Sequence, residues 1–209
     1  AELTDELVLF ALELVAWGDE RTASRWLDAL EHVAAAERTL PAGVGSNHEL
    51  LGAVARNYFK LIAYKDEYEV ARLMLDDGGL AEARAVAGSN PKIAWRLHPP
   101  LLRALGMKKK LSVDMKAEPA NRALARGKRL RGSRLDPFGR PEVRRVEREL
   151  PGEYLAAIEQ VLDSLTADSL PAALAIAELP DLVRGFEDIK LANVRRYRTE
   201  LDLQLAQFR

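Results

Sequence analysis

The sequence predicts an all-α fold: an irregular multi-helix bundle with long central and C-terminal helices and at most one short extended segment. Alanine, leucine, glutamate and arginine dominate the 209 residues, whereas β-branched residues are sparse. Apolar residues recur at the spacing of amphipathic helices over most of the chain. We therefore expect one helical domain over residues 1–209. Because the chain begins without Met and ends within a helical pattern, we also expect it to be a segment of a longer polypeptide.

A helical hairpin is predicted at the N-terminus. An amphipathic segment from Leu7 to Trp17 ends at Gly18, a residue typical of the position that follows a helix. Asp19 then supplies an N-cap for a second helix over about 20–38.

A long third helix is predicted after the helix-breaking stretch at 40–45. The spacing of Ser46 and Glu49 indicates a capping box, from which the helix should extend to about Leu75. A pair of glycines then ends it, and a short helix near 80–87 follows. The stretch 93–97 is the one extended segment that the pattern supports.

The C-terminal part is predicted to be helical as well. Pro151-Gly152 should break the pattern before a helix over 153–165. Leu170–Glu178 predicts a short helix, and residues 187 to about 207 predict a long final one.

Charge divides the chain into three parts. Residues 103–148 hold fifteen Lys or Arg against five Asp or Glu, a local net charge of +10. The helical half at 1–102 and the C-terminal helices at 149–209 are both acidic. We expect the basic part to be either a docking surface for an acidic partner or a mobile solvated loop.

The sequence excludes several kinds of site. It has no cysteine, which rules out disulfides, thiolate nucleophiles and Cys-ligated zinc or iron–sulfur clusters. It has no phosphate-binding glycine motif, and its three histidines are isolated from one another. We therefore predict no catalytic, cofactor-binding or metal-binding residue. No apolar run approaches the length of a membrane span, so we expect a cytoplasmic protein without a membrane partner.

Candidate partner contacts lie on the predicted third helix. Polar residues at spacings of three and four should share one helix face, beside an apolar stripe. That face holds Asn57, Lys60, Tyr64 and Glu67. The alternative is a solvated face on which Lys65 pairs with Glu69 and Glu69 pairs with Arg72, while Asn57 satisfies a loop backbone.

A turn follows the basic segment. Asp136, Pro137 and Gly139 occupy the positions that they favour in a type I turn. Phe138 at its tip should be either anchored or offered to a partner.

Four segments resemble the helical C-terminal domain of indolepyruvate ferredoxin oxidoreductases and related 2-oxoacid ferredoxin oxidoreductase subunits. AYKDEYEVARL and LDPFG are the most specific parts, and the resemblance covers most of the chain. Pro151-Gly152 and the basic stretch before LDPFG depart from the family pattern. The four segments are NYFKLIAYKDEYEVARL (57–73), LHPPLL (97–102), RGSRLDPFGRPEVRRVEREL (131–150) and LPDLVRGFEDIKLANV (179–194).

The resemblance implies a role inside a larger enzyme. The family is expected to oxidise indolepyruvate and similar aryl 2-oxoacids with thiamine diphosphate, iron–sulfur clusters and coenzyme A, and to pass electrons to ferredoxin. The motifs for those cofactors are absent from this sequence. It therefore implies a non-catalytic helical domain that packs on the catalytic domains or subunits, supporting their assembly or shaping the substrate or coenzyme A channel. Its expected contacts are Asn57, Lys60, Tyr64, Lys65, Phe138, Arg184 and Lys190.

The sequence is compatible with two other functions. The +10 segment could bind nucleic acid or another polyanion, although it lacks interleaved aromatic residues and the sequence pI is near 6.4. An enzyme with an unrecognised pocket is the third hypothesis. Homo-oligomerisation is also left open.

Overall fold

The computed structural model describes residues 2–45, 47–75, 94–97, 111–114 and 118–208. These residues form eight α-helices and one antiparallel pair of short strands, which confirms the all-α prediction. The helices are α1 Glu2–Trp17, α2 Glu20–Glu37, α3 Glu49–Ile62, α4 Glu67–Met74, α5 Glu118–Arg126, α6 Glu142–Leu162, α7 Leu170–Glu178 and α8 Glu187–Phe208.

The chain divides into two compact units. One, the discontinuous unit, comprises residues 1–63 and 145–209, and the other, the inserted unit, comprises residues 64–144. These boundaries differ from the charge boundaries near residues 102 and 148. A compact unit is defined by the apolar residues that are buried together. The sign of the surface charge carries no information about which residues those are.

The predicted N-terminal hairpin is confirmed in the discontinuous unit. Asp19 is the N-cap of α2, and its carboxylate accepts hydrogen bonds from the Thr22 amide and hydroxyl, each at 2.8 Å. α1, α2 and α3 pack on one another, and α7 packs on α3. Trp26 is fully buried between them and donates its indole N–H to the Ala55 carbonyl.

The predicted third helix is wrong in length. α3 ends at Ile62, and a new helix, α4, begins at Glu67 rather than continuing to Leu75. Asp66 causes the restart, because its carboxylate accepts a hydrogen bond from the Glu69 amide at 2.8 Å and acts as an N-cap. Ser46 of the predicted capping box lies outside the described residues, as does the predicted short helix at 80–87.

A buried carboxylate from the neighbouring helix satisfies the start of α3. Oε1 of Glu37, at the end of α2, accepts hydrogen bonds from the amides of Leu50 and Leu51 at 3.0 and 3.3 Å. His48 occupies the N-cap position with a left-handed φ of 53° and makes no side-chain cap bond. A carboxylate distant in sequence thus performs the capping role.

The expected break at Pro151-Gly152 is also wrong, since Pro151 lies inside α6. An interior proline removes one backbone donor and crowds the preceding turn, at a cost of about 3 kcal/mol. Leu150, Tyr154 and Ile158 flank it and are fully or almost fully buried. Their packing outweighs the local penalty. The predicted helices at 170–178 and 187–207 are confirmed as α7 and α8.

The inserted unit contains α4, α5 and the strand pair. α4 and α5 pack together, and a single 3₁₀ turn at Gly127–Leu130 follows α5. The predicted extended segment forms strand β1 at Ala94–Leu97, but it pairs with a second strand, β2 at Leu111–Asp114. The limit of one extended segment is therefore wrong. A lone strand would leave its backbone groups unpaired, and LSVD supplies the partner from within a strongly charged stretch.

Candidate interaction surface

Helix α1 of the discontinuous unit carries an apolar outer face. Leu14 and Trp17 point to the core, while Val8 and Leu12 on the other side are 55% and 63% exposed. Val15 continues the row one turn later, so that the three side chains follow the i, i+4, i+7 spacing of one helix face. α1 is thus apolar on two opposite sides.

An open groove of about 470 Å³ runs between α1 and α2 beside this face. α1 contributes the apolar row, and α2 contributes Leu27, which is 46% exposed. Three polar side chains line the groove, and the others are aliphatic. The polar ones are Thr4, Glu20 and Ser24.

The charges around the groove are acidic. α1 contains four carboxylates and no basic residue. Glu20 forms part of the groove wall, and exposed Glu31 follows Leu27 by one turn of α2. Of the α1 carboxylates, Glu6 pairs with Arg56 of α3 at 3.0 Å. The face therefore combines aliphatic side chains with a negative potential.

Two of the predicted contact residues meet at one carboxylate. Lys60 donates to Oδ1 of Asp181 at 3.0 Å and to the Pro180 carbonyl at 2.9 Å. Arg184 lies 3.2 Å from the same oxygen and also donates to the Asp181 backbone carbonyl. The hydrogen bond from Lys60 holds the pKa of Asp181 below its usual value. Sequence reasoning missed Asp181, because it lies more than a hundred residues from Lys60.

The other predicted contacts of the discontinuous unit have partners within it. Asn57 is buried and donates to the Ala53 carbonyl of its own helix, which is a backbone bond of the expected kind but not to a loop. Lys190 of α8 pairs with the buried carboxylate of Glu147 in α6. Near Arg184, Phe186 is exposed immediately before α8.

The inserted unit is held by a network of buried ion pairs built from the family-like segments. Asp66 accepts from the Arg131 guanidinium, and Glu67 lies 3.2 Å from that of Arg144. Both arginine side chains are only 9% exposed. The expected polar face of Asn57, Lys60, Tyr64 and Glu67 does not exist, because the helix carrying the first two ends before the others. Removing one partner of such a buried pair is strongly destabilising.

Tyr64 and Lys65 lie in the short segment before α4. Tyr64 is buried, and Lys65 is exposed with its backbone carbonyl accepting from Arg144 at 3.4 Å. The expected pairing of Glu69 with Arg72 is present, with guanidinium–carboxylate distances of 2.8 and 2.9 Å. Glu69 is nevertheless buried, so this is not the solvated face of the alternative interpretation.

Asp136 organises the LDPFG turn. Its carboxylate accepts from the amides of Gly132 and Phe138, at 2.8 and 3.0 Å, and from the Tyr68 hydroxyl at 3.0 Å. The predicted turn is confirmed by the bond from the Gly139 amide to the Asp136 carbonyl. Phe138 is anchored rather than offered, since its ring packs edge-on against Tyr68 with centroids 5.3 Å apart.

Burial sets the ionisation of the network. Desolvation, with the added effect of the Asp136 carboxylate, raises the pKa of Tyr68. Desolvation also raises the pKa of Glu67, although the Arg144 guanidinium opposes it. These groups form a structural network in which Arg131 and Arg144 neutralise Asp66 and Glu67, while the Asp136 carboxylate is held by a hydroxyl and two backbone amides.

The described residues form neither a metal centre nor a membrane span. In the ranges that the structure describes, no three His, Cys, Asp or Glu side chains converge on a point where a metal could sit. Each described helix is too short or too polar to cross a bilayer.

Comparison with known proteins gives the family of this chain but no function. A model of the family named DUF6537, a family of unknown function, matches residues 5–203. The chain therefore belongs to the DUF6537 family. Neither a curated protein nor a solved structure matches it significantly.

Proposed function

We propose that this DUF6537 domain is a non-catalytic helical domain of an indolepyruvate or similar aryl 2-oxoacid ferredoxin oxidoreductase. It docks on the catalytic domains or subunits of that cytoplasmic enzyme and supports their assembly or shapes the substrate or coenzyme A channel. Thiamine diphosphate, iron–sulfur clusters and coenzyme A bind to those other parts. The observation that carries the docking role is the apolar outer face of α1, and the oxidoreductase assignment rests on the four similar segments.

The outer face of α1 is expensive to leave in water. Helices that are apolar on two opposite sides are typically packed against other elements on both sides. Val8 and Leu12 are more than half exposed and Val15 is 36% exposed. Covering all three fully would contribute about 2–4 kcal/mol at the usual value for aliphatic side chains. A partner that covers this row gains that free energy on association.

The similar segments themselves support a structural role. AYKDEYEVARL supplies Asp66 and Tyr68, and the LDPFG region supplies Arg131 and Asp136. Within the inserted unit, Asp66 forms an ion pair with Arg131, and the Tyr68 hydroxyl donates a hydrogen bond to Asp136. Such mutual satisfaction explains why these residue types occur together without assigning them a reaction.

The experiment is co-purification of the full-length oxidoreductase polypeptides with tagged protein carrying Leu12→Glu. We expect the substitution to abolish capture of the catalytic polypeptides and to lower turnover of indolepyruvate. Leu203→Glu on α8 is the matched control, because Leu203 is exposed to a similar extent. Unchanged assembly and unchanged turnover with Leu12→Glu would refute the docking role, and circular dichroism verifies that both variants fold.

The alternative function is an independent module that binds polyanions or nucleic acid through residues 103–148. The +10 charge favours it. The structure reduces the charge that is available, because Arg131 and Arg144 are turned inward and paired. Titration of labelled DNA at low and high salt distinguishes the two functions, since tight salt-dependent binding would favour the alternative.

A further inference from the structure

We propose that the groove between α1 and α2 receives an amphipathic helix whose apolar row is flanked by Lys or Arg. This inference rests on the proposed docking function and specifies the partner element within the catalytic polypeptides. It concerns the aliphatic row of α1, Leu27 of α2 and the carboxylates around them.

The shape of the groove fits a helix. Val8, Leu12 and Val15 lie along one face of α1 over seven residues, a rise of about 10 Å. Leu27 forms the opposite wall on α2. Two helices with a groove between them accept the apolar face of a third, whose side chains recur at i, i+3 or i+4, and i+7. An incoming helix of two to three turns covers the whole row.

The carboxylates beside the groove favour basic residues on either side of the apolar row of the incoming helix. Asp5 lies on the exposed side of α1 between the directions of Leu9 and Leu12, while on α2 Glu20 lines the groove and exposed Glu31 lies one turn beyond Leu27. Arg21 and Arg25 also belong to α2, but their helical positions turn away from the groove, and the Arg25 guanidinium donates to the Arg21 carbonyl. Lysine or arginine beside the incoming apolar row therefore finds carboxylates on both walls.

The same charges disfavour two other occupants. A second copy of the chain that docked through this face would place α1 carboxylates against α1 carboxylates, because a two-fold interface repeats the same patch. An anionic lipid surface would meet the same repulsion. A basic-flanked helix is the occupant that satisfies both the aliphatic row and its border.

The test uses two fluorescent three-turn peptides with the same leucine row, one flanked by lysine and the other by glutamate. Each is titrated into the full chain. We expect the lysine peptide to bind about tenfold or more tightly than the glutamate peptide, with weakening at high salt. Leu12→Glu should weaken lysine-peptide binding about tenfold or more, whereas Leu203→Glu should leave it unchanged. Equal binding of the two peptides, or no effect of Leu12→Glu, would overturn the inference.

Two further results separate this inference from the proposed function. If Leu12→Glu releases the catalytic polypeptides while neither peptide binds, docking stands and the basic-flanked helix is wrong. If the lysine peptide binds as expected but the catalytic polypeptides are never captured, the groove chemistry stands and the oxidoreductase assignment fails. Sedimentation of the unmodified chain as a dimer, converted to monomer by Leu12→Glu, identifies a second copy as the occupant and overturns the inference.

Discussion

Replacing Glu37 with alanine removes the carboxylate that caps α3 from the neighbouring helix. The Glu37 side chain is 2% exposed and accepts from the amides of Leu50 and Leu51. His48 Nδ1 lies 3.3 Å from its second oxygen. Alanine leaves the two amides at the start of α3 without an acceptor and leaves a small void at the end of α2.

The magnitude follows from these contacts. Loss of a helix N-cap costs about 1 kcal/mol, and each buried donor left unsatisfied costs about 1–3 kcal/mol. Since these two costs overlap, we expect Glu37→Ala to lower the free energy of unfolding by about 3 kcal/mol. Glu37→Gln retains an acceptor oxygen and loses the interaction of the charge with the helix dipole, so we expect a loss of about 1 kcal/mol.

Urea unfolding measures both values. Tryptophan fluorescence reports on the same helices, because Trp26 of α2 is buried and bonded to the Ala55 carbonyl of α3. Circular dichroism provides a second probe of the transition. Glu31→Ala, at an exposed position of α2, is the matched control and should change stability by less than about 0.5 kcal/mol. If Glu37→Ala costs no more than this control, the capping argument is refuted.

Three other predictions can be checked by urea unfolding, with limited proteolysis added for the second. Tyr154→Phe should cost about 1 kcal/mol, because its hydroxyl donates to the Ala177 carbonyl at 2.8 Å, whereas Tyr197→Phe should be neutral or stabilising, since no described group bonds that buried hydroxyl. Asp136→Ala should cost about 3 kcal/mol and expose the 131–141 loop to limited proteolysis, unlike Asp136→Asn, which keeps an acceptor. The pKa of Asp181 is lowered in the folded state, so its stabilising effect is present above its ordinary pKa of 3.8 and is lost as the pH falls. Because the group is largely exposed, Asp181→Asn should remove only about 0.5 kcal/mol near pH 7 and nothing at pH 2, measured by urea unfolding at both pH values.

The features predicted correctly from the sequence depend on local interactions. The Gly18-Asp19 junction and the LDPFG turn are each formed by residues within four positions of one another. Turn and capping preferences act over that short range, so the local sequence is sufficient to predict them. The bounds of α2, α7 and α8 were predicted from the same kind of local signal.

The wrong predictions have a different origin. The break between α3 and α4 reflects competition between a good helical pattern and the capping carboxylate of Asp66, which the distant Arg131 guanidinium also binds. The continuity of α6 through Pro151 reflects packing on both sides of the proline. In each case the local sequence is compatible with both a continuous helix and a break. Contacts with residues elsewhere in the fold favour one of the two.

The candidate surface was least accessible to sequence reasoning. Asn57 and Lys60 stand out in the sequence as polar residues among apolar neighbours, but Lys60 pairs with Asp181 across 121 positions. The outer face of α1 went unnoticed, although a helix with apolar residues around most of its circumference was a readable signal. Which side of that helix faces the core cannot be read from α1 alone.

Residue order alone predicts the helical class, the N-terminal hairpin and the turn at Asp136, and it excludes cysteine chemistry. These properties depend on residue composition and on interactions within about one helical turn. Tertiary contacts, in contrast, turn Arg131 and Arg144 of the basic segment inward to Asp66 and Glu67. They also leave the row from Val8 to Val15 exposed. Charge pairs and buried apolar faces form between elements that are distant in sequence. Each side chain has several possible partners in the unfolded chain, and only folding brings one of them into contact.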